Sequence, residues 1–207
     1  MTIPKSPFLI MQNFLSPKAC EEIVDNLGYY DPDTDKEGNP IKMFRHYEPG
    51  QEQIFHTLEP LINEIFKYYN INYRGTEEML FEWYYTGVLE KPSCENSNFV
   101  RRKWLRTKDR DVSGILFLSD YNDQPPFDSD YEVYGGKLEF PQHGFGFNPQ
   151  RGTLIIYPSG PHFINASAQI QYGELYQVRL HMAATLPFLY QPVNFPGDFR
   201  SWFKHII

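Results

Sequence analysis

Apolar residues recur at a helical period near the start of the chain and at a strand period afterwards. The opening FLIMQNF (8–14) reads as a strand. Ser16-Pro17 then supplies a cap and a first-turn proline for a helix that carries Cys20, Ile23, Val24 and Leu27 on one face and ends at Gly28. DPDTDKEGNP (31–40) is a polar, turn-rich loop. A second helix is predicted over about 51–69, with Ile54, Leu58, Leu61, Ile62, Ile65 and Tyr69 as its apolar stripe and a kink at Pro60. Past Gly75 the pattern changes to short strands between turn signals: MLFEWYY (79–85), GILFLS (114–119), GKLEF (136–140), GTLIIYP (152–158) and LYQVRLHM (175–182). In the last of these, Tyr176, Val178, Leu180 and Met182 alternate with Gln177, Arg179 and His181, giving one apolar and one polar face. The fold class this predicts is mainly β with flanking helices, two N-terminal helices packed on an antiparallel sandwich.

Composition changes this picture little. A chain of 207 residues, 41% hydrophobic and 17% aromatic, is of single-domain size, and no run of eighteen apolar residues marks a membrane span. The N-terminal MTIPKSPFLIMQNFL does not have the layout of a secretion signal, and two cysteines, Cys20 and Cys94, do not make a disulfide framework, so a cytoplasmic setting is expected. Net charge is -7, from 19 Lys and Arg against 26 Asp and Glu, which argues against nucleic acid as the main partner. Two local charge runs stand apart. Arg101, Arg102, Lys103, Arg106, Lys108 and Arg110 form a basic stretch, read as a solvated loop paired with Asp109 and Asp111. SDYNDQPPFDSDYEVY (119–134) is acidic and aromatic, read as a solvated loop or a lid able to receive a basic peptide.

Four segments in order carry a family resemblance over roughly residues 8–183: FLIMQNFLSPKACEEIVDNL, RDVSGILFLSDYND, YGGKLEF and FNPQRGTLIIYPS, with FEWYYTG (81–87) as the strand before the altered metal motif. Together they resemble the prolyl 4-hydroxylase-like branch of the iron(II)/2-oxoglutarate oxygenases, phage-encoded proteins among them. The resemblance implies a double-stranded β-helix (jelly roll) over 1–185, followed by a Pro/aromatic C-terminal extension at 186–207. It also implies a metal held by a His-x-Asp pair and a distal histidine, with open positions for 2-oxoglutarate.

Those positions are altered here. EKPSCENS puts Ser93 at the proximal histidine and Glu95 at the aspartate. The distal position falls on Asn165 counting back from Gly173, or near His162 counting forward from Tyr157-Pro158-Ser159, and both choices stay open. Leu175 replaces the co-substrate arginine, and Arg179 lies four residues further along. No histidine lies between His56 and His143, so no register restores His-x-Asp. The expected vestigial site is thus Ser93, Glu95, Asn165 and Leu175. If a metal binds, Glu95 and His162 are the candidate ligands; if 2-oxoglutarate binds, Arg179 and Tyr84 are its candidate partners. Trp83, Tyr84, Tyr85 and Trp104 are expected mostly in the core.

The function expected is a pseudoenzyme: a non-catalytic structural or protein-binding module without cofactors, for example a phage virion component assembled in the cytoplasm. Partners are expected to bind through 187–207, where Phe188, Tyr190, Phe195, Phe199, Trp202 and Phe203 stand among prolines, unless that segment packs back on its own domain. The competing expectation is an active but atypical protein hydroxylase using Fe(II) and 2-oxoglutarate. No phosphate-binding glycine loop supports a nucleotide site.

Overall fold

The computed structural model describes residues 6–27, 33–34, 40–45 and 48–190, and for 33–34, 40–45 and 48 the backbone only. The main sheet runs in the order Leu9–Met11, Leu154–Pro158, Val112–Phe117, Leu175–Ala184, Leu80–Tyr84, Pro40–Arg45, Asp33–Thr34, with every pair antiparallel. Tyr73–Thr76 pairs with the far end of Leu175–Ala184. Two three-stranded sheets are smaller: Ile170–Gly173 with Glu132–Gly135 and Asp120–Tyr121, and Phe145–Phe147 with Leu138–Phe140 and Ala166–Ser167. A separate hairpin joins Ser97–Val100 to Lys103–Arg106.

Strand alternation sorts the main sheet's side chains into two cores. Leu154, Ile156, Leu116, Val178, Leu180 and Phe81 pack with the helical residues Ile23, Leu27, Ile54, Leu58 and Ile65. The neighbouring positions Ile155, Tyr157, Ile115, Phe117, Tyr84 and Leu175 pack with Val133, Leu138, Phe140, Phe145 and Ile170 of the smaller sheets. The main sheet is therefore covered on both faces. Gln177, Arg179 and His181 do form the strand's polar face, and that face is covered too: all ten residues of Leu175–Ala184 are buried.

The first helix spans Pro17–Leu27, and its four predicted face residues are all buried. The second region breaks at its proline as expected: a helix Glu48–Leu58, a 3-10 turn Glu59–Leu61, then a helix Ile62–Tyr68. Strands Lys103–Arg106 and Glu132–Gly135 fall in segments read as loops, and strands Pro40–Arg45 and Ser97–Val100 in stretches given no element. Trp104 is exposed on that hairpin and not in a core, whereas Trp83 is buried, stacked between Tyr85 and Tyr176.

The extension begins by packing back. Phe188 donates its backbone N–H to Asp111 Oδ1 at 2.7 Å and sets its ring against Tyr69, and Tyr190 sets its ring edge-on against Phe163 at 4.7 Å. The expectations for Phe195, Phe199, Trp202 and Phe203 lie outside the described residues.

Candidate functional site

The polar strip on the inner side of the main sheet centres on one guanidinium. Arg179 is opposite Leu80 in the ladder and Gln177 is opposite Glu82, so Glu82 is the diagonal neighbour of Arg179 on the same face. Arg179 Nε donates to both Glu82 oxygens at 2.9 and 2.8 Å. One terminal nitrogen donates to Glu95 Oε1 at 2.6 Å and Asn165 Oδ1 at 3.3 Å, and the other donates to both oxygens of Glu90 at 2.7 and 2.8 Å. Side-chain exposure is 5% for Arg179, 2% for Glu82, 10% for Glu90 and 7% for Glu95, so these charges face one another away from bulk water.

Glu95 and Asn165 are brought together by the backbone. An isolated antiparallel bridge joins Ser93 to Asn165, each N–H donating to the other's carbonyl at 3.0 Å. Asn165 Nδ2 then donates to Glu95 Oε1 at 3.3 Å, and the Tyr157 hydroxyl donates to the same oxygen at 3.2 Å. Tyr84 donates to Glu90 Oε1 at 3.3 Å, and Gln177 Nε2 to Glu82 Oε2 at 2.6 Å. His181 Nε2 lies 3.7 Å from Glu95 Oε2, while its Nδ1 is 3.0 Å from Ser113 Oγ, which is 2.6 Å from Ser159 Oγ. That serine–histidine–glutamate row lies inside the protein, with Ser113 and Ser159 at 0% exposure, and reads as a hydrogen-bond chain, not as an accessible nucleophile.

Three carboxylates around one cation do not titrate alike. Burial pushes Glu82 upward; Arg179 opposes that and Glu90 adds to it, so Glu82 takes up a proton more readily than a free glutamate. Burial also acts to raise Glu95, but Arg179, His181, the Asn165 amide and Arg110 together outweigh it and hold it at about 2. His181 is lowered to about 4, chiefly by burial and against the pull of Glu95, so it is neutral at pH 7.

The placement of the sequence candidates is mixed. Glu95, Asn165, Arg179 and Tyr84 share one network, in which Arg179 is turned to protein carboxylates. Ser93 is exposed and contributes its backbone alone, and Leu175 is part of the inner core. His162 is exposed in the turn Pro161–Phe163, its ring 5.4 Å from Tyr190. Glu82, Glu90, Gln177 and His181 were missed. The signal for Glu82 was present, because an acid in the middle of MLFEWYY must find a buried partner.

An iron(II) ion does not fit this donor set. Glu95 Oε1 already accepts from a guanidinium, a tyrosine and an amide, its Oε2 lies 3.9 Å from Arg110, and a divalent cation there would face the positive charge of Arg179. Among the described residues no group of three or more His, Cys, Asp or Glu is arranged to hold a metal.

The chain has the fold of the prolyl 4-hydroxylase-like branch of the 2-oxoglutarate oxygenases. Viral collagen prolyl hydroxylase from Paramecium bursaria Chlorella virus-1, in its 2-oxoglutarate complex, superposes with a TM-score of 0.63 over 86% of this chain and 96% of its own, at 15% identity. Pseudomonas putida prolyl-4-hydroxylase gives 0.61 over 86% and 92% at 16% identity. HygX from Streptomyces hygroscopicus, with nickel and 2-oxoglutarate bound, gives 0.54 over 90% and 86% at 13% identity. Identities this low establish a common fold and leave function to the site. No protein-family model matches the sequence, and no curated protein sequence matches it. Among the described residues no helix is long and apolar enough to cross a membrane.

Proposed function

We propose that this protein is a non-catalytic member of the jelly-roll oxygenase fold, a pseudoenzyme retained as a structural or protein-binding module, with a phage virion as one such setting. The observation that carries this reading is the Arg179 guanidinium, whose N–H donors are spent on Glu82, Glu90, Glu95 and Asn165. A buried cation from the chain itself stands among the carboxylates and repels a second cation at the same place. Leu175 removes the bidentate partner that a 2-oxoglutarate carboxylate would need, and Arg179 has no guanidinium edge left to replace it. Cofactors are therefore none in this reading, and partners are proteins.

Anaerobic titration calorimetry with Fe(II) and 2-oxoglutarate together tests it. The expected result is no saturable heat up to millimolar ligand. Stoichiometric micromolar binding, or succinate production that disappears in Glu95→Ala, would establish an atypical hydroxylase instead.

A further inference from the structure

The hairpin Ser97–Arg106 combines features that a solvated loop does not need. Among the described residues eight large hydrophobics are exposed, and four of them are on this hairpin: Phe99 (61%), Val100 (43%), Trp104 (38%) and Leu105 (49%). Cross-strand pairing sets Phe99 opposite Trp104, ring centroids 5.2 Å apart, on one face, and Asn98 opposite Leu105 and Val100 opposite Lys103 on the other. Its two-residue turn is Arg101-Arg102, with φ of 48° and 66°. Left-handed backbone at both positions favours Asn-Gly, and arginine there is strained, so two long cations are held at the tip at a cost to the fold. Among the described residues no ion pair reaches Arg101, Arg102, Lys103 or Lys108, whereas Arg106 is engaged by Asp109 and Asp111.

The complement of this surface is on the same chain. Residues 97–108 carry five Lys or Arg and no acid; residues 119–134 carry five Asp or Glu and no base. In that acidic loop Asp123, Asp128 and Asp130 are exposed, and Phe127 lies edge-on against the exposed Tyr172 at 4.9 Å. The two segments leave opposite ends of the Val112–Phe117 strand. Asp111 N–H bonds to Met182 at the hairpin end, and Leu118 N–H bonds to Tyr176 at the loop end. Six strand residues put about 20 Å between those ends, too far for a docking of one on the other within a chain.

We propose that the cationic, aromatic hairpin of one copy docks on the acidic, aromatic 119–134 loop of a second copy, giving head-to-tail self-association. The interface is heterologous, so it propagates into a ring or a filament. Of the polyanions a basic hairpin can meet, a local acidic protein surface suits a chain of net charge -7 better than nucleic acid, which the rest of the surface repels. This holds whether or not the Arg179 site is catalytic.

The test is sedimentation equilibrium from micromolar to several hundred micromolar protein, at low salt and at about 1 M salt, where the Debye length falls to about 3 Å. Mean mass should rise with concentration at low salt and return to the monomer at high salt. Replacing the turn by Arg101→Asn with Arg102→Gly relieves the backbone and should raise the melting temperature while weakening association at least tenfold. Two charge-reversed chains, one with Arg101→Glu, Arg102→Glu and Lys103→Glu and one with Asp123→Lys, Asp128→Lys and Asp130→Lys, should each stay monomeric and associate when mixed. A monomer under all conditions, association that survives both reversals, or a mixture that stays monomeric overturns the proposal. So does a monomer whose hairpin binds a single-stranded oligonucleotide and loses it with Arg101→Glu, Arg102→Glu and Lys103→Glu, which would assign the surface to nucleic acid.

Discussion

Arg179 contributes more than its own packing, because it keeps Glu82, Glu90 and Glu95 from facing one another unscreened. Arg179→Met keeps the length and removes the charge, leaving the buried Glu82 and Glu95 and the half-buried Glu90 without their cation. The expected loss is about 3–5 kcal/mol in urea unfolding, the usual range when one partner of a buried pair is deleted. Arg179→Lys should recover little of it, since a point charge cannot reach three carboxylates as a planar fork does. A loss under about 1 kcal/mol would mean that the carboxylates find water. His181 supplies a pH signature. Its folded value, about 4, is below the ordinary 6.5, so the unfolded chain binds the proton better and stability is complete above pH 6.5 and lost as pH falls toward 4. This is worth up to about 3 kcal/mol. Glu95 adds a loss at lower pH, from 4.5 toward 2, while Glu82, shifted upward, works in the opposite sense. Melting temperatures from pH 7.5 to 4.5 should fall in the native chain and stay flatter in His181→Asn; parallel curves would remove His181 from the account. Glu95, Asn165 and Arg179 were singled out in the sequence because the family resemblance aligns them at or near positions of chemical role, and the structure joins them by hydrogen bonds. What Arg179 does there was not legible, because its partners Glu82 and Glu90 are distant in sequence and meet it only once the sheet is built.

At the scale of elements, legibility followed tertiary support. Both helices and the strands of the central ladder were readable because one side chain in two, or one stripe in 3.6, had to reach a core. Glu132–Gly135 hides at the end of an acidic, turn-rich stretch, Pro40–Arg45 follows a polar one, and the Ser97–Arg106 hairpin sets exposed residues on both faces, so no burial period marks it. The glycine of GTLIIYP, read as part of the strand, precedes it and has a reason of its own to be there. Gly152 has φ of 76°, its carbonyl accepts the Leu15 N–H at 3.2 Å, and a Cβ at this point would run into the Leu15 carbonyl. It ties the segment after the first strand to the start of the strand Leu154–Pro158. Gly152→Ala should therefore cost about 1–3 kcal/mol from backbone strain, with more from the clash. Chemical denaturation reads this, and a neutral substitution would show that the Leu15 segment moves freely.

The whole molecule is layered: helices on one face of an all-antiparallel main sheet, smaller sheets on the other, and the charged strip inside the second interface. Net stability of such a domain is on the order of 5–15 kcal/mol, so any segment that closes an exposed edge of a core matters. The chain's last described residues do this twice. Phe188 lies against Tyr69 at the helical core and gives its N–H to the buried carboxyl of Asp111, which also accepts from Ala184 N–H and holds Arg106. Tyr190 covers Phe163 and stands beside His162 at the other core. Leu189 between them is 76% exposed, as is Leu186 before them, as expected of a strap that turns Phe188 and Tyr190 inward. Two truncations separate this role from partner binding. Ending the chain after Thr185 removes both aromatics and the N–H that Asp111 accepts, and should lower the melting temperature by at least several degrees, given that 1 kcal/mol shifts a domain of this size by roughly 2–4 °C. Ending it after Tyr190 keeps both contacts and should leave melting within about a degree of the full chain. If the shorter truncation melts just as low, residues 191–207 belong to the core. If neither changes melting, the Phe188 and Tyr190 contacts contribute nothing to stability, and the segment from 187 onward is left to its proposed role in binding partners.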